Sequence, residues 1–165
     1  MEVIIAVAVI TTALVASIAL ISFTVSGATA SKSKLIAANL AQEGLEIVRN
    51  IRDTGWFQGY TGPVDSTPGV SDWREIFGEQ EYRVEYNNLN LLGAGDSRLY
   101  INAGGFYDHN NSGISTPFHR TITIEWIAGG DEQIKVISKI TWSEKGRNQN
   151  VQAETRLYNW YAVTP

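Results

Sequence analysis

Glu2 is the only ionisable side chain before Lys32, and it opens a run, Val3 to Val25, built from Ala, Val, Ile, Leu and Phe23 with a few Thr and Ser. A carboxylate so placed is suited to ion pairing. Carried into an apolar medium without a partner, it costs at least a few kcal/mol. The simplest partner is an α-amino group, either that of its own Met1 or that of a neighbouring identical helix. In the second case the pair sets register, because a mismatched docking leaves a buried charge unpaired. The plainer alternative is an interfacial residue at the end of a membrane anchor.

Other candidate groups lie far along the chain. Asp108-His109-Asn110-Asn111-Ser112-Gly113 matches in part the opening of a calcium loop, with Asp108, Asn110 and Ser112 as oxygen ligands. His119 stands where such a loop needs its closing acid, so a solvated turn is the expected reading and calcium the alternative. Gly93-Ala94-Gly95-Asp96 is too short for a phosphate cradle, and no helical pattern follows it. His109 and His119 flank a loop and have no visible nucleophile beside them. Cysteine is absent, so thiol chemistry, disulfides and cysteine-ligated zinc are excluded. No catalytic constellation is evident, and neither an enzyme nor a cofactor is expected. Asp65, Asp72, Glu75, Glu79 and Glu81 form a scattered acidic run of the kind that usually meets solvent. With a net charge of −4, nucleic acid is not expected as a main partner.

The elements that position these groups follow from periodicity. Val3 to Val25 is about 23 residues, roughly 34 Å as a helix, long enough to cross a bilayer core. Helical pattern continues beyond a small-residue patch at Ser26–Ser31. Ile36, Leu40, Ile47 and Ile51 make an apolar stripe widened by Ala37, Ala41, Leu45 and Val48, while Gln42, Glu43, Glu46, Arg49, Asn50 and Asp53 fall mostly opposite. Residues 1–30 are read as the membrane-length half of one helix, 31–54 as its amphipathic half, and 55–165 as a β-rich head; Gly55 is the expected stop.

Gly59, Gly62, Pro63, Pro68 and Gly69 then mark a loop, with Trp56, Phe57 and Tyr60 expected to clamp the helix end. From residue 80 the period becomes 2. Strands are expected at Glu81–Tyr86, at Arg98–Asn102 with a short piece at Phe106–Tyr107, at Phe118–Ile127, at Ile134–Trp142 and at Asn150–Trp160. Turns are expected at Gly129-Gly130-Asp131 and at Glu144–Arg147. Phe118, Ile122, Ile124 and Trp126 share one face, which Arg120 interrupts. The fold class is therefore α+β: a long N-terminal helix whose Ile36, Leu40, Ile47 and Ile51 stripe packs on an antiparallel sheet.

These stretches resemble type IV pilins and pseudopilins. Glu2-Val3-Ile4-Ile5-Ala6-Val7-Ala8-Val9 looks like the start of their apolar segment. Leu40-Ala41-Gln42-Glu43-Gly44-Leu45-Glu46 with Val48-Arg49-Asn50-Ile51-Arg52-Asp53 looks like the helix end of minor-pilin-like and pseudopilin-like members. The resemblance is specific over about the first third of the chain. It implies a structural filament subunit, with Glu2 of one copy paired to the α-amine (here Met1) of the next. It also implies self-association into a helical filament, possible company of other pilins, a prepilin peptidase, and an assembly platform with its ATPase. The implied location is the inner membrane before assembly and a cell-surface or periplasm-spanning filament after it.

Glu2 follows Met1 directly, whereas the family has a basic leader ending in Gly and a few residues before the glutamate; a trimmed start or different processing is expected. Lys32 and Lys34 taken alone favour the orientation opposite to the one the family implies. Two other readings stand beside this one. The first is a monomeric, membrane-anchored extracytoplasmic binding domain. The second is a secreted β-domain released by cleavage at Ala28-Thr29-Ala30, against which stand the acidic start and the length of the apolar run.

Overall fold

The computed structural model describes residues 1–57, 77–127 and 133–158, the side chains of residues 56 and 57 excepted. The elements are one helix, α1 (Glu2–Phe57), and six strands: β1 (Glu81–Tyr82), β2 (Arg98–Ile101), β3 (Tyr107–Asp108), β4 (Ile114–Trp126), β5 (Gln133–Glu144) and β6 (Arg147–Tyr158). The chain divides into two compact units, Met1–Ile36 and Ala37–Pro165. The readings at Tyr60, Gly59 to Gly69, Asp65, Asp72, Glu75, Gly129 to Asp131 and Trp160, and at the Trp56 and Phe57 side chains, lie outside the described residues.

The first unit is helical from Glu2. Its Val, Ile and Thr residues are mediocre helix formers in water, yet an apolar medium offers the backbone no partner but itself, and there a helix is the way to close every hydrogen bond. The hydroxyls obey the same demand. Those of Thr11, Thr12, Ser17, Thr24 and Thr29 donate to the carbonyls of Val7, Ala8, Ala13, Leu20 and Val25, one turn back, at 2.8–3.0 Å.

In the second unit the helix lies on a six-stranded antiparallel sheet, as the α+β reading expects. The strand order is β3-β2-β4-β5-β6, with β1 also on β4. Alternation sorts the faces. Phe118, Ile122 and Ile124 of β4, with Ile134, Val136 and Ile140 of β5 and Leu157 of β6, are buried toward the helix; Thr121, Thr123 and Glu125 face away. Leu40, Ile47 and Ile51 are buried on the helix side, with Ala37, Ala41, Leu45 and Val48, whereas Ile36 is only half-buried. At Gly44 the helix comes so close to the sheet that a Cβ would lie 2.5 Å from Ser138 Oγ and 3.0 Å from Ile122 Cδ1. Phe77, Tyr82 and Val84 complete this core.

The β5–β6 hairpin turns through Lys145 (φ 51°) and Gly146 (φ 75°), with Glu144 opposite Arg147. Two left-handed residues make the tight turn whose twist matches the strands it joins.

Several boundaries differ from the sequence expectation. Gly55 does not stop α1, which continues to Phe57; one glycine inside a helix costs only about 1 kcal/mol, which packing readily offsets. The strand expected at Glu81–Tyr86 is two residues long. Glu81 and Tyr82 pair with Thr123 and Ile122, but the next position along β4 is taken, since Arg120 N–H donates to Ser97 O at 2.8 Å. Arg83 therefore turns to Leu92, exchanging bonds of 2.8 and 3.0 Å.

The piece expected at Phe106–Tyr107 is observed one residue on, at Tyr107–Asp108, and β6 begins at Arg147, ahead of Asn150. Strand β4 begins at Ile114, ahead of Phe118, and absorbs Pro117. The β2–β4 register shifts between Arg98 and Tyr100, and Thr116 Oγ1 donates to Leu99 O at 2.6 Å. A bulge with a side-chain substitute is one way a strand tolerates a residue without an N–H.

Candidate functional site

Each unit contributes a candidate. In the first, all thirteen Val, Ile, Leu and Phe side chains from Val3 to Val25 are more than half exposed. Soluble proteins do not leave a contiguous apolar surface of that kind uncovered. The helix is long and apolar enough to cross a membrane, and none of its most apolar stretch is buried within the chain. Glu2 sits in its first turn, where a negative charge is favoured by the helix dipole. Among the described residues no ion pair or side-chain hydrogen bond reaches Glu2, and Met1 is exposed beside it. A shallow trough of about 350 Å³ runs along Thr11, Thr12, Val15, Ala16 and Ala19. Small side chains of this kind let a second helix approach closely.

In the second unit the sequence pointed to an irregularity without resolving it. Arg120, which interrupts the apolar face of β4, is completely buried. Its Nη2 donates to Val84 O at 2.8 Å and its Nη1 lies 3.4 Å from Glu43 Oε1. Glu43 was expected on the polar side of the helix; instead its half-buried carboxylate turns to the sheet. Burial lowers the Arg120 pKa, opposed by the charge of Glu43 and then by that of Glu85. Gly44 makes this contact possible, because a Cβ there would also come within 3.2 Å of Arg120 Cδ. The signal in the sequence was the arginine itself: a charge on a buried strand face requires a partner. Arg120 Nε and Nη1 and Ser138 Oγ remain buried without hydrogen bonds among the described residues, so Glu43 meets Arg120 as a charge partner.

The residues of the calcium reading are placed as follows. Asp108 is buried; its Oδ2 accepts from Asn102 Nδ2 at 2.9 Å and its Oδ1 from the Asn110 N–H at 3.1 Å. Asn110 Oδ1 in turn accepts from the Ser112 N–H at 3.1 Å. These are turn-forming bonds between a side chain and the backbone two residues on. Among the described residues no group of three His, Asp or Glu side chains is spaced to hold a metal.

His109 donates through Nδ1 to Arg98 O at 3.0 Å, which leaves Nε2 buried as an acceptor with no donor among the described residues. Its pKa is lowered to about 4, first by burial and then by the charge of Arg120. His119 lies 3.4 Å from Ser97 Oγ through Nδ1, and burial and Arg98 lower its pKa. The nearby Asp96 carboxylate accepts from the Arg98 N–H. No hydrogen bond to a carboxylate orients either imidazole among the described residues.

Comparison with protein-family models, with curated proteins and with solved structures finds no match.

Proposed function

We propose that this chain is a structural subunit of a type IV pilus-like or pseudopilus filament, assembling through its apolar N-terminal helix. The observation that carries this reading is the helix from Val3 to Val25, its apolar side chains more than half exposed, with the hydroxyls of Thr11, Thr12, Ser17 and Thr24 closed onto its own backbone and a carboxylate at its end that has no partner among the described residues. Lipid alone would satisfy the apolar side chains. It would not satisfy Glu2, whose carboxylate is best neutralised by the α-amine of an adjacent copy once the helices bundle. The trough at Thr12, Ala16 and Ala19 offers that copy a seat.

In this reading the helix is a membrane anchor first and a filament core afterwards, and the antiparallel head is carried outward. The location is then the inner membrane before assembly, followed by a surface or periplasm-spanning filament. Its partners are further copies, other pilins, a processing peptidase and an assembly platform with an ATPase. A monomeric membrane anchor uses the same exposed helix without needing Glu2.

Glu2→Ala and Glu2→Gln separate the two. Both variants should reach the membrane at wild-type levels, and both should lose thin filaments from sheared surface fractions viewed by electron microscopy. Filaments at wild-type abundance in either variant would refute the pairing role.

A further inference from the structure

The face of the sheet turned away from the helix carries a groove of about 520 Å³, within the range of small-ligand clefts. Strand register builds it. Arg98 of β2 stands opposite His119 of β4, His119 opposite Thr141 of β5, and Thr141 opposite Asn150 of β6. This row crosses three strand spacings, about 14 Å. Asn148, one step toward the hairpin, and Lys139, one step away from it, extend the lining on either side.

Charge marks the groove out from the rest of the face. Lys135, four residues before Lys139 on the same face of β5, is tied between Glu125 at 3.4 Å and Glu154 at 3.6 Å. Arg98 and Lys139 have no carboxylate within ion-pair distance among the described residues, and no acid lines the groove, in a chain whose net charge is −4. Arg98 is also held in place, its Nη1 donating to Thr116 O at 3.0 Å.

We infer that this groove binds an acidic polysaccharide segment, specifically one built of uronic acid rings. Two cations outside any ion pair among the described residues answer ring carboxylates, the nearby Asp96 carboxylate being taken up by the Arg98 N–H, while Thr141, Asn148 and Asn150 offer hydroxyl and amide groups that donate to and accept from sugar hydroxyls. The row of side chains at successive strand spacings suits an extended chain of repeating rings. A nucleic acid fits less well. Trp142 is buried in the opposite face and cannot serve as a stacking platform, His119 is the only other aromatic ring among the described lining residues, and two cations are few for tracking phosphates. The inference does not depend on polymerisation, since the groove belongs wholly to one chain.

The test is calorimetric titration of the full chain in detergent micelles with a short oligogalacturonate. A neutral galactan oligomer and an oligothymidylate of similar length serve as comparators. Saturable, salt-weakened binding of the oligogalacturonate is expected, with Lys139→Glu reducing affinity about tenfold and Asn150→Asp reducing it several-fold, at unchanged melting temperature. Should Lys139→Glu fail to fold, Lys139→Gln gives the same direction with a smaller loss. Absence of oligogalacturonate binding, equal binding of either comparator, or indifference to both Lys139 substitutions would overturn the proposal.

Discussion

Replacing Glu43 by Gln isolates the contribution of the buried ion pair, and the size of the effect follows from its geometry. Arg120 is completely inaccessible, Glu43 retains 35% of its side-chain exposure, and the closest approach is 3.4 Å. Removing one partner of a fully buried pair costs about 3–5 kcal/mol, because the other charge stays behind uncompensated. Exposure of Glu43 and the long contact lower that, so about 2–3 kcal/mol is expected for Glu43→Gln. Arg120→Met should behave differently. It removes the charge itself and the hydrogen bond to Val84 O, while an unbranched apolar side chain occupies the space. The Glu43 carboxylate left behind keeps 35% exposure and can hydrate, while Val84 O loses its donor, so a loss of about 1–2 kcal/mol, smaller than that of Glu43→Gln, is expected. The double variant Glu43→Gln/Arg120→Met should match Arg120→Met alone. Urea unfolding of the full chain in micelles, followed by tryptophan fluorescence, measures all three. An Arg120→Met variant less stable than Glu43→Gln would contradict this, because the pair would then be a net stabiliser and not a compensated cost.

Three further outcomes are expected. Gly44→Ala should destabilise by about 1–3 kcal/mol through overpacking against Ser138 and Ile122, and adding Ser138→Gly should recover part of that loss in a double-mutant cycle. Stability should fall as pH drops from 6.5 toward 4 and be flat above, since in that window the unfolded His109 binds a proton that the folded one, at about 4, refuses. Allowing for partial solvent screening, His109 contributes about 1–2 kcal/mol to that slope, and His109→Gln should remove its share from melting temperatures taken across the range. Thr12→Val should leave membrane insertion unchanged, because the Thr12 hydroxyl is already closed onto Ala8 O at 3.0 Å; a protease-protection assay that found insertion improved would show that hydroxyl to be exposed.

The elements most legible in the sequence were those with uninterrupted period. The run from Val3 to Val25 and the alternation from Ile134 to Trp142 each report one environment over many residues, and α1 and β5 contain them. The hairpin at Glu144–Arg147 was legible because Gly146 supplies a left-handed turn position, although Lys145 adopts one as well. Less legible was whatever depends on competition between distant segments. Glu81–Tyr86 alternates like a strand, but its length is set by which residues claim the edge of β4, and Ser97 claims it first. Glu43 reads as a solvent-facing helix residue until Arg120 is known to lie beneath it. The groove escaped notice because Arg98, His119, Thr141 and Asn150 are brought together only by register across four strands.

Packing of the apolar helix against copies of itself can be measured directly, because the chain contains no cysteine. Thr12→Cys and Ala19→Cys placed together in one chain put two thiols on the trough of the helix. Mild oxidation of intact cells, followed by non-reducing electrophoresis, should give a ladder extending well beyond the dimer, and Glu2→Ala in the same background should collapse it. A product that stays monomeric at every oxidant concentration would contradict assembly through this helix.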